Sequence, residues 1–419
     1  MHTLKSSKDL DALIEDIGES PVVMLGEASH GTHEFYTWRS AISKRLIQEK
    51  GFNFIAVEGD WPDCYKINRF AKGYKEAGNS VRDVLMNFDR WPTWMWANWE
   101  VAALAEWLRE YNQVLPADKK IGFYGLDVYS LWDSMREMVT YLDNEDPKAA
   151  QSVRKAIQCF EPYEENEHMY ARYSLNEHSC RDAVIRLLKE IRTKSQFLDG
   201  DREAGFNAEQ NAFIAVNAEK YYRSMIGFDN ESWNIRDTHM METLDRLITF
   251  HGKHAKAIVW EHNTHIGDAR ATDMARAGMV NIGQLAREQY GVNKVYLVGF
   301  ATYEGSVIAG DTWGAPMEVL EVPEARAGSI EHQLHLESAA NRYLLFNSED
   351  IQKRYEASIR HRAIGVVYDP ERERFGNYVP TKLSLRYDAF VFLDRTKALH
   401  PLHMKPHDEK IPETYPFGT

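Results

Sequence analysis

The chain alternates between short apolar runs and longer stretches with helical spacing. Val22-Val23-Met24-Leu25 is a continuous apolar run that ends at Gly26. Apolar residues then return as Phe35, Trp38, Ile42 and Leu46, three and four apart, until Gly51 stops the pattern. This predicts a buried strand, a tight turn and a helix to Lys50. The unit recurs. Phe52–Val57 reads as a strand ending at Glu58, with Pro62 placed for the first turn of a helix. After a helix over 97–112, Ile121–Leu126 reads as a strand followed by Asp127. Lys256–Trp260 runs into Glu261-His262-Asn263-Thr264-His265, and Lys294–Phe300 runs into Tyr303 and Glu304. Strands alternating with helices predict an α/β fold with a mostly parallel central sheet flanked by helices.

Other stretches fill in this plan. Residues 4–17 read as an amphipathic helix. From Ser134 to His251 the pattern is helical almost throughout, so 148–252 is expected to be a large all-helical insertion packed over the sheet. Residues 1–147 and 253–400 form the α/β core, with Ile364–Tyr368 and Tyr387–Leu393 as closing strands. The tail over 401–419 is polar and is expected to be irregular. Trp91, Trp94, Trp96 and Trp99 crowd one segment. They read as a packed hydrophobic corner, the alternative being an aromatic wall for an apolar ligand or a sugar.

Composition narrows the function. The 419 residues carry 50 basic and 63 acidic side chains, a formal charge of -13. An acidic surface with no dense basic run argues against nucleic acid and anionic membranes as partners. No apolar run approaches a membrane span, and the N-terminal stretch lacks the apolar core of a signal peptide. Three cysteines, Cys64, Cys159 and Cys180, are odd in number and lack metal-site spacing. They fit a reducing cytoplasm better than a disulfide framework.

The candidate chemistry lies at the strand ends. In an open α/β sheet, ligands bind at the carboxyl ends of the strands. There the sequence places Glu27 with His30, Glu58, Asp127, Glu261 with His262 and His265, and Tyr303. A carboxylate beside an imidazole suits general acid–base work, because it fixes the ring's tautomer and stabilises its protonated form. His30 is the candidate base, with Glu27, Glu58, Arg39, His262 and His265 around it. His33, Trp61, Asp127, Trp94 and Tyr303 are candidates for contact with a substrate. The same donors, Glu27, His30, Glu58, His262 and His265, would also suit a divalent metal or a haem-type partner, although His-x-x-His alone is unspecific. No GxSxG elbow, P-loop or GxGxxG is present, and no cysteine lies at a strand end. A hydrolase built this way would use an activated water, with no cofactor expected and a small-molecule ester as its partner.

Three segments carry a family resemblance: GEASHGTHEFYTWR, AVEGDWPD and WEHNTHIGD, in that order, with NIRDTHMMETL between the last two. Together they resemble the erythromycin esterase family over most of residues 20–310. The resemblance implies hydrolysis of an ester, a macrolide lactone in the best-known case, by a His-activated water without a serine nucleophile. It implies His30 as general base and Glu27 and Glu58 as the groups orienting it and the water. Arg39 and His262 would hold the site and stabilise the oxyanion, with His265 in support. The open alternative is a metal- or haem-binding protein, or a metallohydrolase, on the same cluster.

Overall fold

Four consecutive buried residues form each of the innermost strands, as expected for a sheet covered on both faces. In the computed structural model, which describes residues 1–174, 179–194, 201–225 and 230–403, the strands are β1 His2–Thr3, β2 Val22–Leu25, β3 Phe54–Val57, β4 Gly122–Gly125, β5 Ala257–Trp260, β6 Val295–Ala309, β7 Glu318–Val322, β8 Arg342–Leu345, β9 Ser358–Arg362, β10 Tyr378–Lys382 and β11 Ala389–Thr396. The main sheet runs in the order β1-β8-β11-β6-β2-β5-β3-β4, with β7 also on β6. From β11 through β6, β2 and β5 to β3, every pairing is parallel. Strands β1, β8 and β7 are antiparallel additions. A separate antiparallel ribbon joins β9 and β10.

Register decides what happens at the carboxyl edge. Leu25 faces Trp260 on one side and Val298 on the other, and Val57 faces Trp260. The residues that follow, Gly26, Glu58 and Glu261, therefore leave the sheet at one level. Backbone pairing continues one step further, from Glu58 N–H to the Trp260 carbonyl at 2.9 Å and from Gly26 N–H to the Val298 carbonyl at 2.8 Å.

The chain forms two compact units. One comprises Met1–Glu58, Lys66–Phe123 and Lys253 onward; the other comprises Gly59–Tyr65 and Tyr124–Gly252. In the second, the helix Arg202–Ser224 is the centrepiece. It packs against Leu131–Glu145, Glu167–Ser174, Arg181–Lys194 and Glu231–His251. Aspartates set the helix starts: Asp146 accepts from the Lys148 and Ala149 N–H groups, and Asp201 from those of Glu203 and Ala204. The core of this unit is rich in tyrosine and alanine, including Tyr170, Tyr221, Tyr222, Ala212 and Ala215. It starts earlier in the chain than residue 148, because Leu131–Glu145 packs on its helices.

Several sequence expectations are corrected. Residues 4–17 split into a 3-10 turn, Ser7–Leu10, and a helix, Asp11–Ile17. Ile364–Tyr368 is not a strand; it makes only isolated bridges, Ile364 to Ser29 and Val367 to Gly310. Cys159 and Cys180 form a disulfide with Cα atoms 5.8 Å apart, and Cys64 is buried and free. Cys159 lies near the end of the helix Pro147–Phe160 and Cys180 just before the helix Arg181–Lys194, a juxtaposition that counting cysteines does not show. The cysteines therefore no longer argue for a reducing compartment. Among the described residues, no helix is long and apolar enough to cross a membrane. The expected irregular tail lies outside the described residues beyond His403.

Candidate active site

The turn after β2 is fixed by close backbone approaches. A Cβ on Gly31 would lie 1.9 Å from the Ile308 carbonyl oxygen, and one on Gly26 would lie 2.1 Å from Asn263 Oδ1. Only glycine fits at either position. Three of the turn's carbonyls are engaged by remote N–H groups. Glu27 accepts from Asn263 N–H at 2.9 Å, Ala28 from Ile364 N–H at 2.8 Å, and Gly31 from both Ile308 and Leu399 N–H at 3.0 Å. The segment 26–32 is thereby tied to four remote parts of the chain.

This turn carries Glu27 and His30. Glu27 Oε1 lies 2.9 Å from His30 Nδ1, and Glu27 Oε2 lies 2.5 Å from Arg39 Nη2. Arg39 belongs to the helix His33–Lys50, on the same buried stripe as Phe35, Tyr36, Ile42 and Leu46. Its guanidinium stacks on Tyr36 at 4.4 Å and on Trp260 at 4.8 Å. A fully buried cation on an apolar stripe needs a charged partner, and Glu27 is that partner.

Glu58 follows β3. Its Oε2 accepts from the His262 backbone N–H at 2.9 Å, and its Oε1 lies 3.5 Å from His265 Nε2. Trp96 Nε1–H donates to the Glu58 carbonyl at 3.0 Å. His262 follows β5 and caps the short helix Asn263–Ile266, its Nδ1 accepting from Thr264 N–H at 3.3 Å. The Thr264 hydroxyl also lies 2.8 Å from this nitrogen, and with both groups donating to Nδ1 the proton of the neutral ring is on Nε2. The His262 ring lies 4.9 Å from that of His30. Burial first, and the neighbouring His30 second, push its pKa well below the usual histidine value. Where His30 takes a proton, His262 stays neutral and remains a donor.

The structure thus gathers Glu27, His30, Arg39, Glu58, His262 and His265, each at most 3% exposed. The other candidates lie in different settings. His33 Nδ1 is 2.6 Å from Glu100 Oε1. Trp94 is a core residue in the turn Thr93–Met95. Tyr303 stacks on His335 at 3.7 Å. In the helical unit, Trp61 stacks on Tyr124 and donates to Asn207 at 2.7 Å, and Asp127 is held bidentately by Arg236 at 2.9 and 2.7 Å. Three of the four crowded tryptophans, Trp91, Trp94 and Trp96, are buried, and Trp99 is exposed.

A family model described as erythromycin esterase matches residues 47–396. The chain belongs to the erythromycin esterase family. On that ground it is a hydrolase of the erythromycin esterase type. Erythromycin esterase type II of Escherichia coli is 23% identical over 381 residues, covering 82% of this chain and 85% of that protein. YbfO of Bacillus subtilis (strain 168) is 20% identical over 412 residues, covering 93% and 86%. A solved succinoglycan biosynthesis protein shares the fold with a TM-score of 0.77 at 21% identity, covering 95% of each chain. An erythromycin esterase variant, EreC, in its open conformation has a TM-score of 0.69 at 16% identity, covering 94% of this chain and 95% of that one.

In this family member the sequence pattern did not single out Asn263 or His361. Asn263 Nδ2 donates to the Phe300 carbonyl at 2.7 Å and lies 3.2 Å from His361 Nε2, and His361 Nδ1 is 2.7 Å from Glu331 Oε1. Asn263 also receives Phe300 N–H at 3.2 Å, so it staples the motif of His262 and His265 to β6. The available signal was that Asn263 sits between the two histidines.

Proposed function

We propose that this protein hydrolyses a carboxylic ester by a water that His30 activates, with no metal in the catalytic cluster. The observation that carries the reading is the buried chain Arg39–Glu27–His30, in which each link is a hydrogen bond. Glu27 accepts the Nδ1 proton of His30, which leaves the Nε2 lone pair as the base. Nε2 takes a proton from water as the oxygen attacks the ester carbonyl carbon. The carbonyl oxygen then carries the negative charge of the tetrahedral intermediate. Neutral His262, with its proton on Nε2, is the donor for that charge. Arg39 adds its field, since Nε and Nη1 are buried and have no hydrogen-bond partner among the described residues. When the carbon–oxygen bond to the leaving alcohol breaks, the proton returns from His30 Nε2 to the alkoxide. General base and oxyanion donor each contribute rate factors of about 10² to 10³ or more.

Two features support a metal-free site. Both oxygens of Glu27 are engaged by His30 and Arg39, and those of Glu58 by His262 N–H and His265. A cation would also have to share this space with the Arg39 guanidinium. The substrate class we propose is a lactone of the macrolide kind, as in the name of the Escherichia coli relative. The test is turnover of a panel of macrolides and simple aryl esters by wild type and His30→Ala, with and without chelator. Turnover by wild type that ignores chelator and vanishes in His30→Ala is the expected result. Activity that survives in His30→Ala, or that chelation abolishes, overturns the reading.

A further inference from the structure

A second constellation lies outside the catalytic cluster. His33 begins the helix His33–Lys50, Glu100 lies in the first turn of the helix Trp99–Gln113, and His400 lies on the segment after β11. The Nδ1 atoms of both histidines lie 2.6 Å from the same oxygen, Glu100 Oε1. The two imidazoles pack edge to face with centroids 5.1 Å apart. Donor atoms from all three residues lie within 4.8 Å of one another, the one such group of three among the described residues.

The charge balance at Glu100 is unusual. Its side chain is 4% exposed, and a carboxylate that buried needs positive charge nearby. Lys44 and Arg45 line the same groove of about 600 Å³. Arg45, however, is bound to Glu49 and Asp11, and the Lys44 ammonium lies over the Trp107 ring. Among the described residues, Glu100 has no lysine or arginine partner in an ion pair; its ring partners are the two imidazoles.

We infer that His33, Glu100 and His400 form a binding site for a divalent transition-metal cation of the zinc class. Two imidazole nitrogens and one carboxylate oxygen are the donors such ions prefer, and three protein ligands leave a fourth position for water. With metal–ligand bonds of about 2.1 Å, tetrahedral ligands stand about 3.4 Å apart. Each histidine Nδ1, now 2.6 Å from Glu100 Oε1, therefore moves away from that oxygen by under an ångström when the ion replaces the two N–H···O contacts. Side-chain exposures of 33% for His33 and 61% for His400 leave room for that movement and a path of entry.

The location gives the ion a structural consequence. The segment carrying His400 is already laid across both helix starts: His33 N–H donates to the Lys397 carbonyl at 2.8 Å, and Trp99 N–H donates to the His400 carbonyl at 3.0 Å. Leu399 N–H donates to the carbonyl of Gly31, next to His30. A bound cation would clamp this strap to the turn that carries the base.

The test uses the full chain, stripped with chelator and titrated with Zn²⁺ by calorimetry, and with Co²⁺ by visible absorption. One saturable site per chain is expected, together with a rise in unfolding temperature on adding Zn²⁺. His400→Ala and Glu100→Gln should each weaken binding by roughly tenfold or more, while His30→Asn leaves it unchanged. Because His400 is exposed, His400→Ala stays interpretable even if Glu100→Gln folds poorly. No saturable site in wild type overturns the assignment. So does a site that survives His400→Ala, or one lost in His30→Asn, which would place the ion in the catalytic cluster. The outcome is independent of ester turnover, so failure here leaves the proposed hydrolysis standing.

Discussion

Replacing Gly31 by alanine puts a methyl group where the fold has already placed a carbonyl. The new Cβ would start 1.9 Å from the Ile308 oxygen, and Cβ contacts under 3.0 Å essentially never occur, so about 1.1 Å of relative movement is required. No flexible side chain can supply it, because the obstacle is backbone in β6. The turn cannot simply swing away either, since Gly31 also accepts hydrogen bonds from Ile308 and Leu399. The displacement therefore falls on the adjacent His30. Overpacking of this kind costs about 1–3 kcal/mol of stability. Misplacing a reacting group by about 1 Å costs about 10² in rate. Gly31→Ala should thus fold with a lowered unfolding temperature and lose roughly a hundredfold in kcat, with a smaller change in KM. Thermal unfolding and steady-state kinetics on the best ester of the panel measure both. Wild-type kcat with wild-type stability would show that the turn has slack, and would refute the claim that its geometry sets the position of the base.

Acid should destabilise the fold earlier than carboxylate titration alone would. Burial lowers the pKa of His262, His361 and His239, the last to about 3, so folding excludes protons that the unfolded chain binds below pH 6.5. Their contribution is complete above 6.5 and is lost as pH falls, at up to about 1.4 kcal/mol per unit per group, or about 2 kcal/mol for His239 at pH 5. Urea midpoints at pH 7.5 and 5 check this, and equal midpoints would contradict it. Glu27→Gln keeps an acceptor for His30 but leaves the buried Arg39 without its countercharge. A loss of about 3–5 kcal/mol of stability and of about 10³ to 10⁴ in kcat is expected; near-wild-type turnover by a folded variant would remove Glu27 from the mechanism. Asp127→Asn should cost a similar 3–5 kcal/mol or so by breaking the buried pair with Arg236. An unchanged unfolding midpoint would show that pair to be dispensable.

The parallel strands were legible because a strand buried on both faces reads as an unbroken apolar run, and β2, β3 and β5 start or end within two residues of where the pattern put them. The carboxyl-edge cluster followed from that register. What escaped detection depends on remote partners. β6 runs on to Ala309 through a mixed polar stretch because β7 pairs with it there. β9 reads Ser-Ile-Arg-His-Arg and has no strand pattern, yet His361 and Arg362 are buried. They are paid for by Glu331 and Glu373, tens of residues and eleven residues away respectively. The apolar run after β9, Ile364–Tyr368, looked like the strand because its burial comes from covering the turn after β2, not from a ladder. His33, Glu100 and His400 are separated by 67 residues or more, so no local spacing could join them.

The two carboxylates of the buried cluster have different partners. Glu27 lies between the Arg39 guanidinium on one oxygen and His30 Nδ1 on the other. Glu58 accepts from the His262 backbone N–H and lies 3.5 Å from His265 Nε2. The ring of His262 stands beside that carboxylate, with the backbone N–H and the hydroxyl of Thr264 at its Nδ1. In the proposed reaction the hydrogen-bonded chain Arg39–Glu27–His30 would carry the base, and Glu58 and His262 would orient the remaining groups. The proposed reaction would draw on all three motifs. The first would supply the base and its countercharge, the second the orienting carboxylate, and the third the neutral donor, so that none of the three would complete the chemistry within its own segment.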